Sequence, residues 1–484
     1  MPESCACPRR MAMVEPMGNN DTVRQSSAPG GRRIRLNAFD ANCVGNQLPG
    51  IWRHPRDHSR EYKDLRHWTE MARLLERGLF DSLFIADALG PCDVYGGNAD
   101  AAVRTAAKVP INDPMMLVSA MAAVTEHLGF GITSCTACEH PYPFARRMST
   151  LDHLTGGRIG WNVVTGYLRS AANNMGQGDQ LPHDERYDRA DEYMEVLYKL
   201  WEGSWEDDAV VMDADRDMFA DPSKVHPINH HGRYFDVPGF HLCEPSPQRT
   251  PVIFQAGASP RGIRFAARHA EAMFVSAPTR TQLARTVKDM RDALQAEGRG
   301  RYDARIYALM MVVADETDEL AQAKYRDYFR FVSETGNLVL NSAWSGVDMS
   351  REDLDRPLDP VSTNAIQATV SGLSGAAGPD GERWTLRDSA RIYATGGPVV
   401  VGSGETVADA MQQFVAETDV DGFNLAYVVE PGSWEDVIDY VIPVLQRRGV
   451  YPTSYEGTSL RDGLFGRGDR LPDSHIGARY RHLG

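Results

Sequence analysis

The stretch with the clearest chemical potential is Gln255-Ala256-Gly257-Ala258-Ser259-Pro260-Arg261-Gly262. It follows an apolar run and precedes a helical one, so its small residues form a βα turn at a helix start. Free backbone N–H groups and the helix dipole there favour an anion, and Ser259 adds a hydroxyl donor. The turn is either a phosphate cradle or an ordinary loop with a serine cap. Tyr187, after His183-Asp184-Glu185-Arg186, could bring a phenol to such a phosphate or simply pack. Asp87 stands alone after an apolar run, where a carboxylate either accepts backbone N–H groups or fixes a ligand's polar edge. His140, in Glu139-His140-Pro141-Tyr142, is a candidate general base, with a plain hydrogen-bonded loop histidine as the other reading. Cys135 and Cys138 form a single C-x-x-C, without the second ligand pair or thioredoxin-like surroundings that a zinc or redox role requires. His226, His230 and His231 lack a further ligand at metal-site spacing, so no metal is expected. H-E-x-x-H, G-x-S-x-G and P-loop patterns are absent.

The elements around these residues alternate. Strand-type runs are predicted at Ile34–Phe39, Phe80–Ala86, Gly131–Cys135, Arg158–Val164, Val252–Ala256, Ala272–Val275, Arg305–Val313 and Gly422–Tyr427. Helical spacing is predicted over Tyr62–Gly78, from Asp113-Pro114 to about His127, and over Phe144–Leu154, Tyr187–Trp201, Arg261–His269, Arg280–Glu297, Asp318–Phe331, Glu405–Glu417 and Ser433–Arg448. Eight such β-α steps predict an α/β fold, a (β/α)₈ TIM barrel with insertions. An open doubly wound sheet gives the same alternation, but no glycine-rich dinucleotide fingerprint follows the first run. Gly402-Ser403-Gly404 opens a helix and lacks the rest of that pattern. Residues 1–33 read as a disordered leader with an uncertain start codon, 34–450 as the barrel, and 451–484 as a tail. Insertions fall at about 88–112, 202–250 (an extra hairpin) and 333–395. A barrel's site lies at the strand C-termini, which gathers Asn42, Cys43, Asp87, Thr133, His140, Asn162, Thr165, Gly166, Tyr167 and the 256–259 turn.

Composition narrows the partners. The chain has 484 residues, 42% hydrophobic and 24% charged, with a formal charge of −15. That acidic balance disfavours nucleic acid and anionic membranes. There is no apolar run of bilayer length and no secretory leader pattern. Seven cysteines, an odd number, argue against a disulfide framework and for a reducing cytoplasm.

Longer motifs carry a resemblance. They include NAFDANCVGN…WRHP (37–55), LLERGLFDSLFIAD (74–87), EHPYPFARRMSTLDHLTGGRIGWNVVT (139–165), HDERYDRADEY (183–193), DPSKVHPINHHGRYFDVPG (221–239), PSPQRTPVIFQAGASPRG (245–262) and DGFNLAY (421–427). Over residues 34–484 the chain resembles the two-component flavin monooxygenases of the bacterial luciferase-like superfamily. The branch is that of nitrilotriacetate, dibenzothiophene-sulfone and long-chain alkane monooxygenases, with the alkane type nearest. The resemblance implies non-covalent FMN, used reduced as FMNH2, with Asp87, Thr133, Gly166 and Tyr167 along the flavin. Tyr187 and Ala256, Gly257, Ala258 and Ser259 would hold its phosphate. Three departures bear on the substrate: the alkane type has histidine, tyrosine and histidine where this chain has Asn46, Cys92 and Tyr167.

The expected reaction inserts one atom of O2 into a small organic substrate, such as a hydrocarbon or organosulfur compound. Reduced flavin comes from a separate NAD(P)H:flavin reductase. Tyr167 and His140 are the expected polar side chains nearest the reacting oxygen, with Cys43 as pocket wall and the 88–112 and 333–395 loops as lids. A homodimer or homotetramer is expected. Two alternatives stand beside this: a deazaflavin-dependent oxidoreductase on the same fold, and a catalytically idle flavin-binding barrel. An aminopolycarboxylate substrate would need cations in the pocket, and Arg146, Arg147 and Arg169 are the nearest in sequence.

Overall fold

The computed structural model describes residues 32–277, 279–357, 359, 383–388 and 397–481; the expected leader lies almost wholly outside them. Its strands are β1 (Arg35–Ala41), β2 (Ser82–Ala86), β3 (Gly129–Cys135), β4 (Ile159–Val164), β5 (Val210–Asp213), β6 (Met218–Ala220), β7 (His230–His231), β8 (Asp236–Val237), β9 (Val252–Gln255), β10 (Ala272–Val275), β11 (Arg305–Asp315), β12 (Val399–Ser403) and β13 (Gly422–Ala426). All pairings among β1–β4 and β9–β13 are parallel. The ring runs β1-β2-β3-β4-β9-β10-β11-β13 and closes where β13 pairs with β1. This is the (β/α)₈ barrel that the alternation predicts, and its ring strands correspond to the eight predicted runs.

The interior is packed with aromatic side chains, as a barrel of this size must be. Phe254 and Phe274 stack with centroids 5.5 Å apart, Phe84 lies 4.4 Å from Phe274, and Phe39 lies 5.3 Å from Phe84. Gly160 makes room for them, since a Cβ there would lie 2.2 Å from the Phe254 ring. An outer layer of buried Leu, Ile, Met and Trp side chains joins the strands to their helices.

Several elements depart from expectation. The helix that follows Pro114 covers Met115–Ala122 rather than reaching His127. There the Glu76 carboxylate accepts from the backbone N–H groups of Glu126, His127 and Leu128, turning the chain into β3. Insertion 202–250 holds two short hairpins, β5–β6 and β7–β8, not one. The described part of insertion 333–395 contains a helix, Glu334–Ser345, whose Leu338, Val339, Leu340 and Ala343 are buried. β12 was not expected. It lies outside the ring and pairs with the distal half of β11, Met311–Asp315. Gly402-Ser403-Gly404 is the turn from β12 into helix Gly404–Thr418, with Ser403 as its cap. A Cβ on Gly404 would meet the Tyr440 carbonyl oxygen at 2.0 Å, so close helix packing accounts for that glycine.

The segment beyond Val450 is built into the fold. Leu460 and Leu464 join the barrel-interior cluster, and Arg461, fully buried, donates to both Glu271 carboxylate oxygens at 2.6 and 2.8 Å. The tail thus seals the N-terminal end and leaves the other end for chemistry.

Candidate active site

Three groups of residues meet at the C-terminal mouth of the barrel: a glycine-floored cup, a polar wall and a lid cluster. The cup forms where β9 runs into helix Pro260–His269. Ser259 caps that helix, its hydroxyl accepting from the Gly262 N–H at 3.0 Å. Helix His183–Tyr198 begins alongside and delivers Tyr187, whose buried hydroxyl bonds to Ser259. The His183 Nε2 lies 3.4 Å from the Ser259 hydroxyl. Glycine is required here: a Cβ on Gly257 or Gly262 would stand 3.0 or 2.9 Å from the Tyr187 hydroxyl oxygen. Ala256 is exposed, and Gly257, Ala258 and Ser259 are half-buried, so their amides line an open concavity. Arg261 lies over the Tyr187 ring but is engaged by Asp188 and Asp191, so backbone and hydroxyl donors dominate the cup.

The polar wall comes from β2, β3 and β4. Asp87 is half-buried, its Oδ1 accepting from the Ala88 N–H at 2.8 Å, and burial pushes its carboxyl up to about 6. Thr133 accepts from the Asn162 amide at 3.0 Å, which leaves Asn162 Oδ1 buried without a partner. Gln255 Oε1 is likewise buried and unpartnered. Unpaired buried polar atoms are costly, and a ligand with matching groups relieves the cost. Gly166 has φ 81° and lies against Cys135, whose sulfur would be 3.3 Å from a Cβ at that position.

The lid cluster comes from the two insertions expected to act as lids. Helix Asp100–Thr105 packs on helix Glu334–Ser345, and their buried residues form one cluster with Cys92, Leu168 and Tyr167. Burial holds the Tyr167 phenol well above the usual tyrosine range, and the Trp344 indole beside it acts in the opposite direction. Two of the three departures from the alkane type, Cys92 and Tyr167, therefore meet in one cluster. The third, Asn46, is buried with neither end of its amide partnered.

The other expected residues stand as follows. Cys43 is buried and bridged to Ile111 through the backbone, and burial pushes its thiol up, so it is a neutral wall. His140 is exposed and caps helix Pro141–Thr155, its Nδ1 accepting from the Tyr142 N–H at 3.3 Å. Burial and the nearby Arg189 charge lower its pKa, which keeps the ring neutral. Arg146, Arg147 and Arg169 are exposed, and the last two pair with Glu139 and Asp179. Gln255 entered the sequence reading only as the first residue of the 255–262 stretch, with no role of its own, and Trp344 did not enter it at all. Trp344 does sit in an apolar helical stretch, NLVLNSAW, inside an insertion read as polar.

The cup and the orphaned amides fit a flavin mononucleotide, with donors for its anionic end and polar partners for the edges of its ring. The comparisons agree. Residues 51–422 match the family described as "Luciferase-like monooxygenase". The dimethyl-sulfide monooxygenase of Hyphomicrobium sulfonivorans is 52% identical over 453 residues, 93% of this chain and 94% of that protein. The long-chain alkane monooxygenase of Geobacillus thermodenitrificans (strain NG80-2) is 48% identical over 453 residues, 93% of this chain and 99% of that one. The crystal structure of riboflavin lyase (RcaE) with modified FMN and riboflavin superposes with a TM-score of 0.86 at 36% identity, covering 93% of this chain and all of that one (100%). With the family model spanning most of the sequence and the barrel mouth so arranged, this chain belongs to the luciferase-like monooxygenase family, as an oxidoreductase of the flavin-dependent type.

Proposed function

We propose that the chain binds reduced FMN at the barrel mouth and inserts one oxygen atom of O2 into a small neutral organic molecule, a thioether or a hydrocarbon. The observation that carries this is the glycine-floored cup under the Tyr187 hydroxyl, which continues into the unpartnered Asn162 and Gln255 amides. Ser259, Tyr187 and the 257–259 amides hold the phosphate. Thr133, Asn162 and Asp87 line the ring, and Gly166 lets it approach the β4 exit. Bound reduced flavin supplies the two electrons that activate O2. The helices Asp100–Thr105 and Glu334–Ser345 exclude water above it, which favours transfer to substrate over loss as H2O2. Tyr167, neutral and oriented by Trp344, can hold a hydrogen bond to the reacting oxygen without ionising. His140 acts through the helix start it caps.

The substrate class is read from the apolar cluster under the lids, Cys92, Leu168, Val339, Leu340 and Ala343, which favours an apolar molecule beside it. The exposed positions of Arg146, Arg147 and Arg169 disfavour polyacids. Dimethyl-sulfide and long-chain alkane relatives act on apolar molecules by name. A separate NAD(P)H:flavin reductase supplies the reduced flavin, in keeping with the missing dinucleotide fingerprint. The test supplies purified chain with a flavin reductase, NADH and FMN, then offers a dialkyl sulfide or an alkane. Substrate-dependent NADH and O2 consumption with an oxygenated product is expected. Calorimetry showing no FMN binding in either redox form would remove the proposal, and a deazaflavin-dependent hydride transfer without O2 uptake would replace it.

A further inference from the structure

The C-x-x-C without a context in sequence acquires one in three dimensions. Cys135 is the last residue of β3, and the chain turns at once, the Cys138 N–H donating to the Cys135 carbonyl at 3.1 Å. A β-turn of this kind brings its end Cα atoms within the span a disulfide bridges. The two thiols are near enough to act on each other's ionisation. Both residues are half-buried, unlike the buried Cys43 and Cys92. The turn is fixed from both sides: the Thr136 N–H donates to the Val164 carbonyl at 3.0 Å, and the Gln177 amide donates to the Ala137 carbonyl at 2.8 Å.

We propose that Cys135 and Cys138 form a peroxide-oxidisable dithiol in the wall of the barrel mouth, converted by hydrogen peroxide to a disulfide within one turn. The Cys135 thiolate attacks one peroxide oxygen. The O–O bond breaks, hydroxide leaves and takes up a proton, and a sulfenic acid remains. Cys138 then attacks that sulfur, the S–S bond forms, and the sulfenic oxygen departs as water. Two thiols and one H2O2 give one disulfide and two waters; the sulfurs together lose two electrons and the peroxide gains them.

The surroundings assign the roles. The Cys138 thiol, the Ala137 and Cys138 backbone N–H groups and the Arg189 charge together lower the Cys135 pKa despite its burial. The neighbouring Cys135 and its own burial push the Cys138 thiol up. The first of these causes vanishes once Cys135 is a sulfenic acid, which frees Cys138 to resolve it. The consequence for the site is local. Cys135 sulfur touches Gly166 at the β4 exit, so drawing it towards Cys138 alters the wall beside the proposed flavin ring.

The dithiol is tested without any flavin, so its failure is separable from failure of the proposed function. The full-length chain, reduced and then treated with graded H2O2, is alkylated and digested. The peptide carrying both cysteines should escape alkylation and appear two hydrogens lighter than the uncapped dithiol, reversibly with dithiothreitol, at least about tenfold faster than the half-buried Cys243 oxidises. In C138S, Cys135 should accumulate as a dimedone-reactive sulfenic acid. In C135S, Cys138 should stay reduced at the same dose. Oxidation of Cys243 ahead of the pair, or equal reactivity of Cys138 with and without Cys135, overturns the proposal.

Discussion

The Tyr187 hydroxyl stands 3.0 Å from the point where a Cβ on Gly257 would lie, and it bonds to Ser259, the cap of the following helix. One phenol thus packs against the floor of this turn, and two glycines let it come so close.

Gly257→Ala should therefore fold normally and bind FMN poorly. The methyl meets the Tyr187 hydroxyl and, at 2.3 Å, the Gln255 amide. Affinity should fall at least about tenfold, ~1.4 kcal/mol, by calorimetry with FMN. Riboflavin, which lacks the phosphate, should lose little. Tyr187→Phe removes one hydroxyl partner and should cost less than Gly257→Ala. Equal losses for FMN and riboflavin would mean that the cup does not hold phosphate.

The contrast between what the sequence exposes and what it hides follows from range. The ring strands and the Ser259 turn are local, since apolar runs, glycines and a cap residue are each legible within a few positions. Asp87 and Gly166 were reachable because barrel chemistry gathers at strand ends. Trp344 was not, because its value depends on Tyr167, far away in the chain, and the insertion around it reads as polar. β12 was hidden for a related reason: five residues running into a Gly-Ser-Gly turn pair with the outer half of a strand whose inner half already completes the ring. The Asp40–Glu430 contact described below joins opposite ends of the sequence and leaves no local pattern.

Asp87 is held at a cost to stability. Burial raises its folded pKa to about 6, so its contribution is most favourable at acid pH and is lost as pH rises through that value. Asp87→Asn should raise the melting temperature at pH 7.5, leave it little changed near pH 4, and lower turnover with reduced FMN. A melting temperature at pH 7.5 no higher than that of the unmodified chain would contradict the burial argument.

Asp40 and Glu430 form a buried carboxyl pair next to β1. Glu430 also lies 3.0 Å from His67 Nε2, and its backbone N–H donates to Asp57. Burial, then the Asp57 charge, push Glu430 up to about 8, and burial likewise raises Asp40. The folded chain thus holds a proton that the unfolded chain releases near pH 4.5. Stability from this group is full below that pH and drains away up to about pH 8. Glu430→Gln keeps an oxygen that accepts from the protonated Asp40 carboxyl and from His67, and removes the titrating group. It should flatten the fall in melting temperature between pH 5 and 8 in buffers of matched ionic strength. A slope as steep as that of the unmodified chain would place the proton elsewhere.

Trp344 offers the sharpest separation of lid packing from flavin binding. Its indole N–H is a donor beside the Tyr167 phenol, on a helix whose Val339, Leu340 and Ala343 belong to the lid cluster. Trp344→Phe keeps most of the apolar surface and deletes that donor, so the phenol loses its orientation while the cup around Ser259 is untouched. FMN affinity should therefore stay within about twofold, less than ~0.5 kcal/mol. The coupling of O2 consumption to substrate oxygenation should drop, and the H2O2 released per O2 consumed should rise severalfold. Tyr167→Phe should reproduce the loss of coupling, and the double variant should add little, because both remove the same hydrogen bond. Additive losses would show that Trp344 and Tyr167 act separately, with the lid serving only as a water barrier.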